Sequence, residues 1–237
     1  MGLVRTVLVT GSAGLVGRAV SIALPAAGWA VRPFDLATGQ DLRDEAALGR
    51  AVAGCDAVVH AGAIPHDSLG RPADIFATNV LGTWHVLIAA EAHALRRVVC
   101  FSSVQVFGFA DGEGAPEYVP VDDGHPLRAA RPYGLSKRLT ETMCEAWTGR
   151  TGIATVVLRP VLVLSDERLL ANREDDVELG SFVHVDDVAD AVVRALTVPF
   201  DGHARVTLCG PGPFDTSAAR RVLGWQPTRS WPGPAGG

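Results

Sequence analysis

The sequence predicts an α/β fold built on a doubly wound parallel sheet. Strand-length apolar runs alternate with helix-length amphipathic segments along the chain. The strand runs are near-continuously apolar, as in strands covered on both faces. The first of them ends in a glycine-spaced turn that opens the first helix. At 237 residues, 48% of them hydrophobic, the chain is long enough for one large domain with a core, or two small ones.

The strand candidates are 4–10, 30–35, 56–62, 98–103, 155–159 and 205–209. The helix candidates lie near 15–27, 45–52, 74–95, 133–149 and 186–196. Pro33 conflicts with its strand, because it cannot donate to a ladder; it is expected to end regular pairing just before Asp35. Segment 74–95 is apolar on more than one side (Phe76, Val80, Leu81, Trp84, Leu87, Ile88), which predicts burial beyond one face. Leu135, Leu139, Met143 and Trp147 form an i+4 stripe that reads as packing, against the sheet or a second subunit. Segments 107–132 and 164–180 read as irregular and follow predicted strands, where open α/β sheets form their crevice. The last residues, 231–237, are rich in Pro and Gly and read as a frayed tail.

Composition removes several functions. A net charge of −5 gives no electrostatic reason to expect nucleic acid or an anionic membrane as partner. No apolar run approaches the ~20 residues of a membrane span, and the N-terminus reads as a strand rather than an export signal, so the cytoplasm is the expected location. Cys55, Cys100, Cys144 and Cys209 lie far apart with no CxxC pair and are expected as buried reduced thiols. His60 has no partner at metal spacing and reads as structural; no metal site is expected.

The turn after the first strand is Gly11-Ser12-Ala13-Gly14-Leu15-Val16-Gly17. In a Rossmann-type dinucleotide site, Gly11 permits the tight turn, Gly14 lets the backbone approach a pyrophosphate, and Gly17 lets the helix pack closely on the sheet. Phosphates would meet the N–H groups at the helix start, around Ala13, Leu15 and Val16. Asp35, at the end of the next strand, would accept from an adenosine ribose and repel a 2′-phosphate, which favours NAD over NADP. Nearby Arg32 is the residue that would accommodate that phosphate instead, and the plainer role for Asp35 is capping a turn. Asp41 and Leu42 would reach the adenine edge, and Ala61, Gly62 and Ala63 would pass beneath the cofactor, where side chains must be small.

The chain has a single lysine, Lys137, four residues after Tyr133, one of only two tyrosines. Residues four apart share a helical face, so phenol and ammonium point the same way, and the lysine favours phenolate over phenol. Such a tyrosine exchanges a proton with a substrate hydroxyl or carbonyl. Lys137 would also hold the nicotinamide ribose. Ser103, ending the strand Phe101-Ser102-Ser103, would orient the same substrate oxygen. The alternative is that Tyr133 and Lys137 are ordinary surface residues of a helix.

Taken in order, Thr10 to Gly17, Asp35, His60 to Ala63, Asn79, Phe101 to Gly108, Tyr133 to Lys137, Leu158-Arg159-Pro160, Phe182 to Ala189 and Leu223 to Pro227 resemble the extended short-chain dehydrogenase/reductases, the NAD-dependent epimerase/dehydratase group. The resemblance implies a Rossmann core over 1–160 and a short substrate lobe over 161–237, interleaved with the last core elements. It implies Tyr133 as acid/base, Lys137 as its electrostatic partner, Ser103 as donor to the substrate oxygen, and cofactor contacts at Asn79, Tyr133, Lys137 and Pro160. It also implies a homodimer through the helices carrying Asn79 and Tyr133.

The departures narrow the chemistry. Val104 and Gln105 stand where dehydratases of the group carry an acidic pair, which argues against elimination. Phe107 replaces a tyrosine common in sugar-nucleotide epimerases. Only about twenty residues separate Pro160 from Phe182, a shorter segment than a clamp for a nucleotide-diphosphate sugar usually needs. Uronate dehydrogenases of the group are similarly compact. The expected function is therefore NAD-linked hydride transfer to or from a hydroxyl/carbonyl of a small sugar, sugar acid or polyol. Ser103 and Gln105 are the expected substrate contacts, and Arg168 or Arg173 meets a carboxylate unless both are solvated loop charges. The alternatives are an epimerase with bound NAD and, from another class, an NAD-binding regulatory protein without turnover.

Overall fold

The computed structural model describes residues 4–109, 114–174 and 181–229. Eight strands are formed: β1 (Arg5–Thr10), β2 (Trp29–Phe34), β3 (Ala57–His60), β4 (Arg97–Phe101), β5 (Ala154–Pro160), β6 (Leu162–Leu164), β7 (Phe182–His184) and β8 (His203–Leu208). Eight α-helical segments join them: α1 (Leu15–Ala23), α2 (Glu45–Val52), α3 (Pro72–Ile75), α4 (Gly82–Ala92), α5 (Pro132–Thr151), α6 (Asp166–Glu174), α7 (Val185–Thr197) and α8 (Ser217–Leu223). Six strands pair in parallel in the order β2-β1-β3-β4-β5-β8. The chain order reverses between β1 and β3, the switch point at which doubly wound sheets form a binding crevice at their strands' C-terminal ends.

The continuous apolar strands are explained by helices on both faces. Val7 and Val9 of β1 join one core with Val20 of α1 and Val188 and Val192 of α7. Leu8 faces the other core, with Leu48 and Val52 of α2 and Val86 and Leu87 of α4. Local chemistry sets the helix ends. Asp44 caps α2 by accepting from Ala47 N at 2.9 Å. Pro25 lies in a 3₁₀ turn (Leu24–Ala27) that follows α1, and Gly28 closes it at φ +81°.

Regular pairing of β2 ends at Phe34, just before Asp35, as expected; Pro33 itself lies opposite Val9 in the ladder, since β2 is an edge strand, where a missing donor is tolerated. Three expectations change. The segment expected to be irregular over 164–180 contains α6, and short β6 and β7 pair as a separate parallel ribbon around Leu164, Leu169 and Phe182. Three-residue strands and a charged helix leave no clear periodicity to read. Pro72–Ala92 is one continuous helical run, with a π segment (Phe76–Leu81) between α3 and α4, and it is long and apolar enough by composition to cross a membrane. Half of it is buried inside the protein, as in the core helix of a globular domain. Finally, α5 turns mainly its polar residues inward. Ser136, Lys137, Thr140 and Glu141 are buried beside Cys144 and Trp147, while Leu135, Leu139 and Met143 are half-buried. The tail expected over 231–237 lies outside the described residues.

Residues 225–229 are tied to α7 through Asp187. Trp225 is fully buried and donates from Nε1 to Asp187 O at 2.9 Å. The Asp187 carboxylate accepts from Thr228 N, Thr228 Oγ1 and Arg229 N at 2.6–3.1 Å.

Candidate active site

The glycine turn is shaped by close backbone approach. Gly11 has φ +69°, and a Cβ there would lie 2.6 Å from Gly62 Cα. A Cβ at Gly17 would lie 2.0 Å from Gly11 O, so this glycine lets the helix close on the turn itself, rather than on the sheet as expected. Gly14 is the N-cap of α1 and no side chain caps that first turn, so the site fits an anion at the helix start. Leu42 is buried, with Cδ1 2.8 Å from where a Cβ of Gly62 would lie; Ala61 and Ala63 flank this contact half-buried.

Asp35 does two things. It caps the next turn through Ala37 N at 2.8 Å, and its other oxygen accepts from Ala13 N at 2.9 Å, tying the end of β2 to the glycine turn. Two carboxylate oxygens have lone pairs to spare for a ribose. Arg32 turns away and donates to Ala51 O and Ala53 O at 2.7 and 2.6 Å. Arg43 is held by Asp41, which lowers the Asp41 pKa chiefly through that hydrogen bond.

On the other side of the crevice, Tyr133 and Lys137 start α5. Both are buried, at 8% and 6% exposure. Lys137 Nζ lies 5.7 Å from the Tyr133 ring centroid and donates to Phe101 O at 2.9 Å. Burial pulls the Lys137 pKa from 10.5 to about 8, against the opposing pull of Cys100, Cys144 and Glu141. Ser103 caps a 3₁₀ turn (Val104–Phe107) and accepts from Gln105 N at 3.2 Å, which leaves its own proton available. Gln105 Oε1 is shut off from solvent and has no hydrogen-bond partner among the described residues. Gly134 is needed here, because a Cβ would meet Gln105 O at 2.9 Å and Ala129 Cβ at 2.8 Å.

Other expected residues have different surroundings. Asn79 is 1% exposed; it accepts from Ile64 N at 2.8 Å and donates to Ile64 O and Ser136 Oγ, each at 3.0 Å, bracing the loop after β3 against α5. His60 bonds Thr10 Oγ1 and Thr83 Oγ1 through its two ring nitrogens, and burial, with Lys137 second, pulls its pKa down to about 3. Its role is structural, as the sequence indicated. Pro160 ends β5, buried and paired with Leu208. Arg168 is exposed on α6, and the Arg173 side chain lies outside the described residues.

Several residues escaped the sequence reading. Asp67 accepts from Tyr133 N at 2.7 Å. Glu141, 1% exposed, accepts from Arg159 Nε and Nη2 at 2.7 and 2.6 Å and from Ser102 Oγ at 2.6 Å. Asp123 accepts from Arg159 Nη1 and Thr207 Oγ1, fastening the 107–132 segment behind the site. Burial raises the Asp123 pKa. Glu141 carried one readable signal, its i+4 spacing from Lys137.

Comparison with known proteins matches this geometry. Residues 7–210 fit the model of the NAD dependent epimerase/dehydratase family. A uronate dehydrogenase of Pseudomonas syringae pv. tomato is 31% identical over 212 residues, covering 84% of this chain and 72% of that protein. A UDP-glucose 4-epimerase of Azospirillum brasilense is 30% identical over 241 residues, covering 80% of this chain and 68% of that protein. Among solved structures, a short-chain dehydrogenase/reductase superfamily protein from Agrobacterium tumefaciens with bound NAD superposes with a TM-score of 0.81 at 26% identity, covering 96% of this chain and 94% of its own. With a six-stranded parallel sheet, a glycine turn at its switch point and a Tyr–Lys pair across the crevice, the chain belongs to the NAD-dependent epimerase/dehydratase family of enzymes.

Proposed function

We propose that the protein is an NAD-linked dehydrogenase of small sugar acids, with Tyr133, Lys137 and Ser103 as its catalytic residues. The observation that carries the reading is the Lys137 ammonium: buried, anchored on Phe101 O at 2.9 Å and 5.7 Å from the Tyr133 ring. A cation there favours phenolate, and Tyr133 takes the proton of a substrate hydroxyl. Ser103 donates to the same oxygen, its lone pair already engaged by Gln105 N. Bound NAD supplies the hydride acceptor. Its adenosine ribose would meet Asp35, its pyrophosphate the start of α1, and its nicotinamide half Lys137 and Pro160.

NAD is preferred over NADP on three grounds. Asp35 repels a 2′-phosphate, Arg32 is spent on α2 carbonyls, and Arg43 is neutralised by Asp41. The substrate class follows from the short lobe over 161–237 and from the likeness to a uronate dehydrogenase. The partnerless Gln105 Oε1 supplies an acceptor for a substrate hydroxyl, since a buried polar atom left unmade is costly. Arg168, exposed on α6, is the cation offered to a substrate carboxylate. The likeness to UDP-glucose 4-epimerases keeps epimerisation as the second reading. NADH accumulating with uronates supports the first; sugar-nucleotide interconversion without net NADH replaces it with the second.

A homodimer is part of the same reading. Leu81 and Trp84 on the Pro72–Ala92 run are 47% and 39% exposed, and α5 presents half-buried Leu135, Leu139 and Met143, apolar surface suited to a second copy.

A further inference from the structure

The buried face of α5 continues past the catalytic pair. One turn after Lys137, Glu141 enters the interior as a carboxylate at 1% exposure. A buried carboxylate is costly unless paired and hydrogen-bonded, and this one is gripped on three sides. Arg159 of β5 meets it bidentately at 2.7 and 2.6 Å, and Ser102 donates at 2.6 Å. Ser102 is the link to the chemistry. It stands between Phe101, whose carbonyl holds the lysine ammonium at 2.9 Å, and Ser103.

We propose that Glu141 is a positioning residue for the catalytic site: through Ser102 it fixes the end of β4 that carries the Phe101 carbonyl and the Ser103 hydroxyl, and from one helical turn away on the same buried face its charge favours the Lys137 ammonium. The proposal rests on the oxidoreductase reading above. The groups that face Lys137 are Tyr133, Glu141 and Cys144 from α5, Cys100 from β4 and His60 from β3. The Cys144 thiol is raised by the hydrogen bond with Cys100 and by burial, which favours its protonated form. His60 is neutral, with its pKa near 3. Glu141, held bidentately by Arg159, is the carboxylate of this set. Arg159 offsets part of its field, yet Glu141 acts to raise the lysine, opposing the burial that lowers it.

The chain supplies its own probe, since Lys137 is its single lysine. Lysine labelled with carbon-13 at Cε gives one side-chain NMR resonance, whose pH titration reports this ammonium with no substrate present. Glu141→Gln is expected to lower the midpoint by about a few tenths of a pH unit, while Glu141→Asp, which keeps the charge, returns it toward wild type. A midpoint unchanged in Glu141→Gln overturns the electrostatic role. Should Glu141→Gln fail to fold, Ser102→Ala decides the positioning role. It removes one hydroxyl and leaves the charge, so kcat is expected to fall several-fold with the lysine titration unmoved, and an unchanged kcat overturns the proposal. If Tyr133→Phe retains turnover, the oxidoreductase reading fails, and the titration still judges the coupling of Glu141 to Lys137 on its own.

Discussion

Lys137→Met isolates the cost of the buried ammonium. The side chain keeps roughly its length and loses its charge. Burial lowers the lysine pKa from 10.5 to about 8, and at about 1.36 kcal/mol per pH unit the charged form costs the folded state on the order of 3 kcal/mol. Methionine leaves the Phe101 carbonyl without its ammonium partner, which returns about 1 kcal/mol of that gain. The variant is expected to be about 2 kcal/mol more stable at pH 7, a Tm higher by roughly 4–8 °C for a chain of this size, with turnover lost. Below pH 8 the lysine is charged in folded and unfolded chains alike, and the folded state bears the whole cost. Between pH 8 and 10.5 the folded chain releases the proton first, so wild-type stability rises with pH relative to the variant. Thermal melts of both proteins across this window read the difference directly. A destabilised variant at pH 7, or a gain that does not shrink as pH rises, refutes the reasoning.

Other substitutions test the remaining parts. Tyr133→Phe is expected to abolish turnover while NAD affinity, measured by calorimetry, stays near wild type. Gly17→Ala places a Cβ 2.0 Å from Gly11 O, so the turn must move; a loss of about 2 kcal/mol or more in denaturant melts and weakened NAD binding are expected. Asp35→Asn removes the charge that repels a 2′-phosphate and is expected to narrow the NAD-over-NADP affinity ratio by roughly tenfold. The proposed homodimer predicts a dimer mass by light scattering for the wild type and a shift to monomer for Trp84→Glu, which places a charge on the exposed apolar face.

The sheet was legible because its strands are covered on both faces: Val7, Leu8 and Val9 alternate between two cores, so the sequence shows an unbroken apolar run. The glycine turn was legible because its backbone conformation and contacts exclude side chains at Gly11 and Gly17. Tyr133 and Lys137 were legible because helical spacing alone places them on one face. The ribbon of β6 and β7 was not, since three-residue strands carry no period. Pro33 read as a conflict because sequence alone does not say which strand is an edge. The network of Glu141, Arg159, Ser102 and Asp123 was hidden for a different reason. Its members come from α5, β5, the end of β4 and a long loop, and only the sheet order brings them together. The α5 apolar stripe shows the same limit: its burial is partial because the inward positions are taken by polar residues with partners of their own.

The central claim, hydride transfer by Tyr133, Lys137 and Ser103 from a small sugar acid to NAD, has a direct measurement. Wild-type protein and Tyr133→Phe are mixed with NAD and a panel of uronic acids, and NADH absorbance is followed to completion. The account predicts NADH accumulating in proportion to the uronate consumed with the wild type, and none with the variant. NADH formed at an undiminished rate by Tyr133→Phe, or no NADH from any uronate while sugar nucleotides are interconverted, contradicts it.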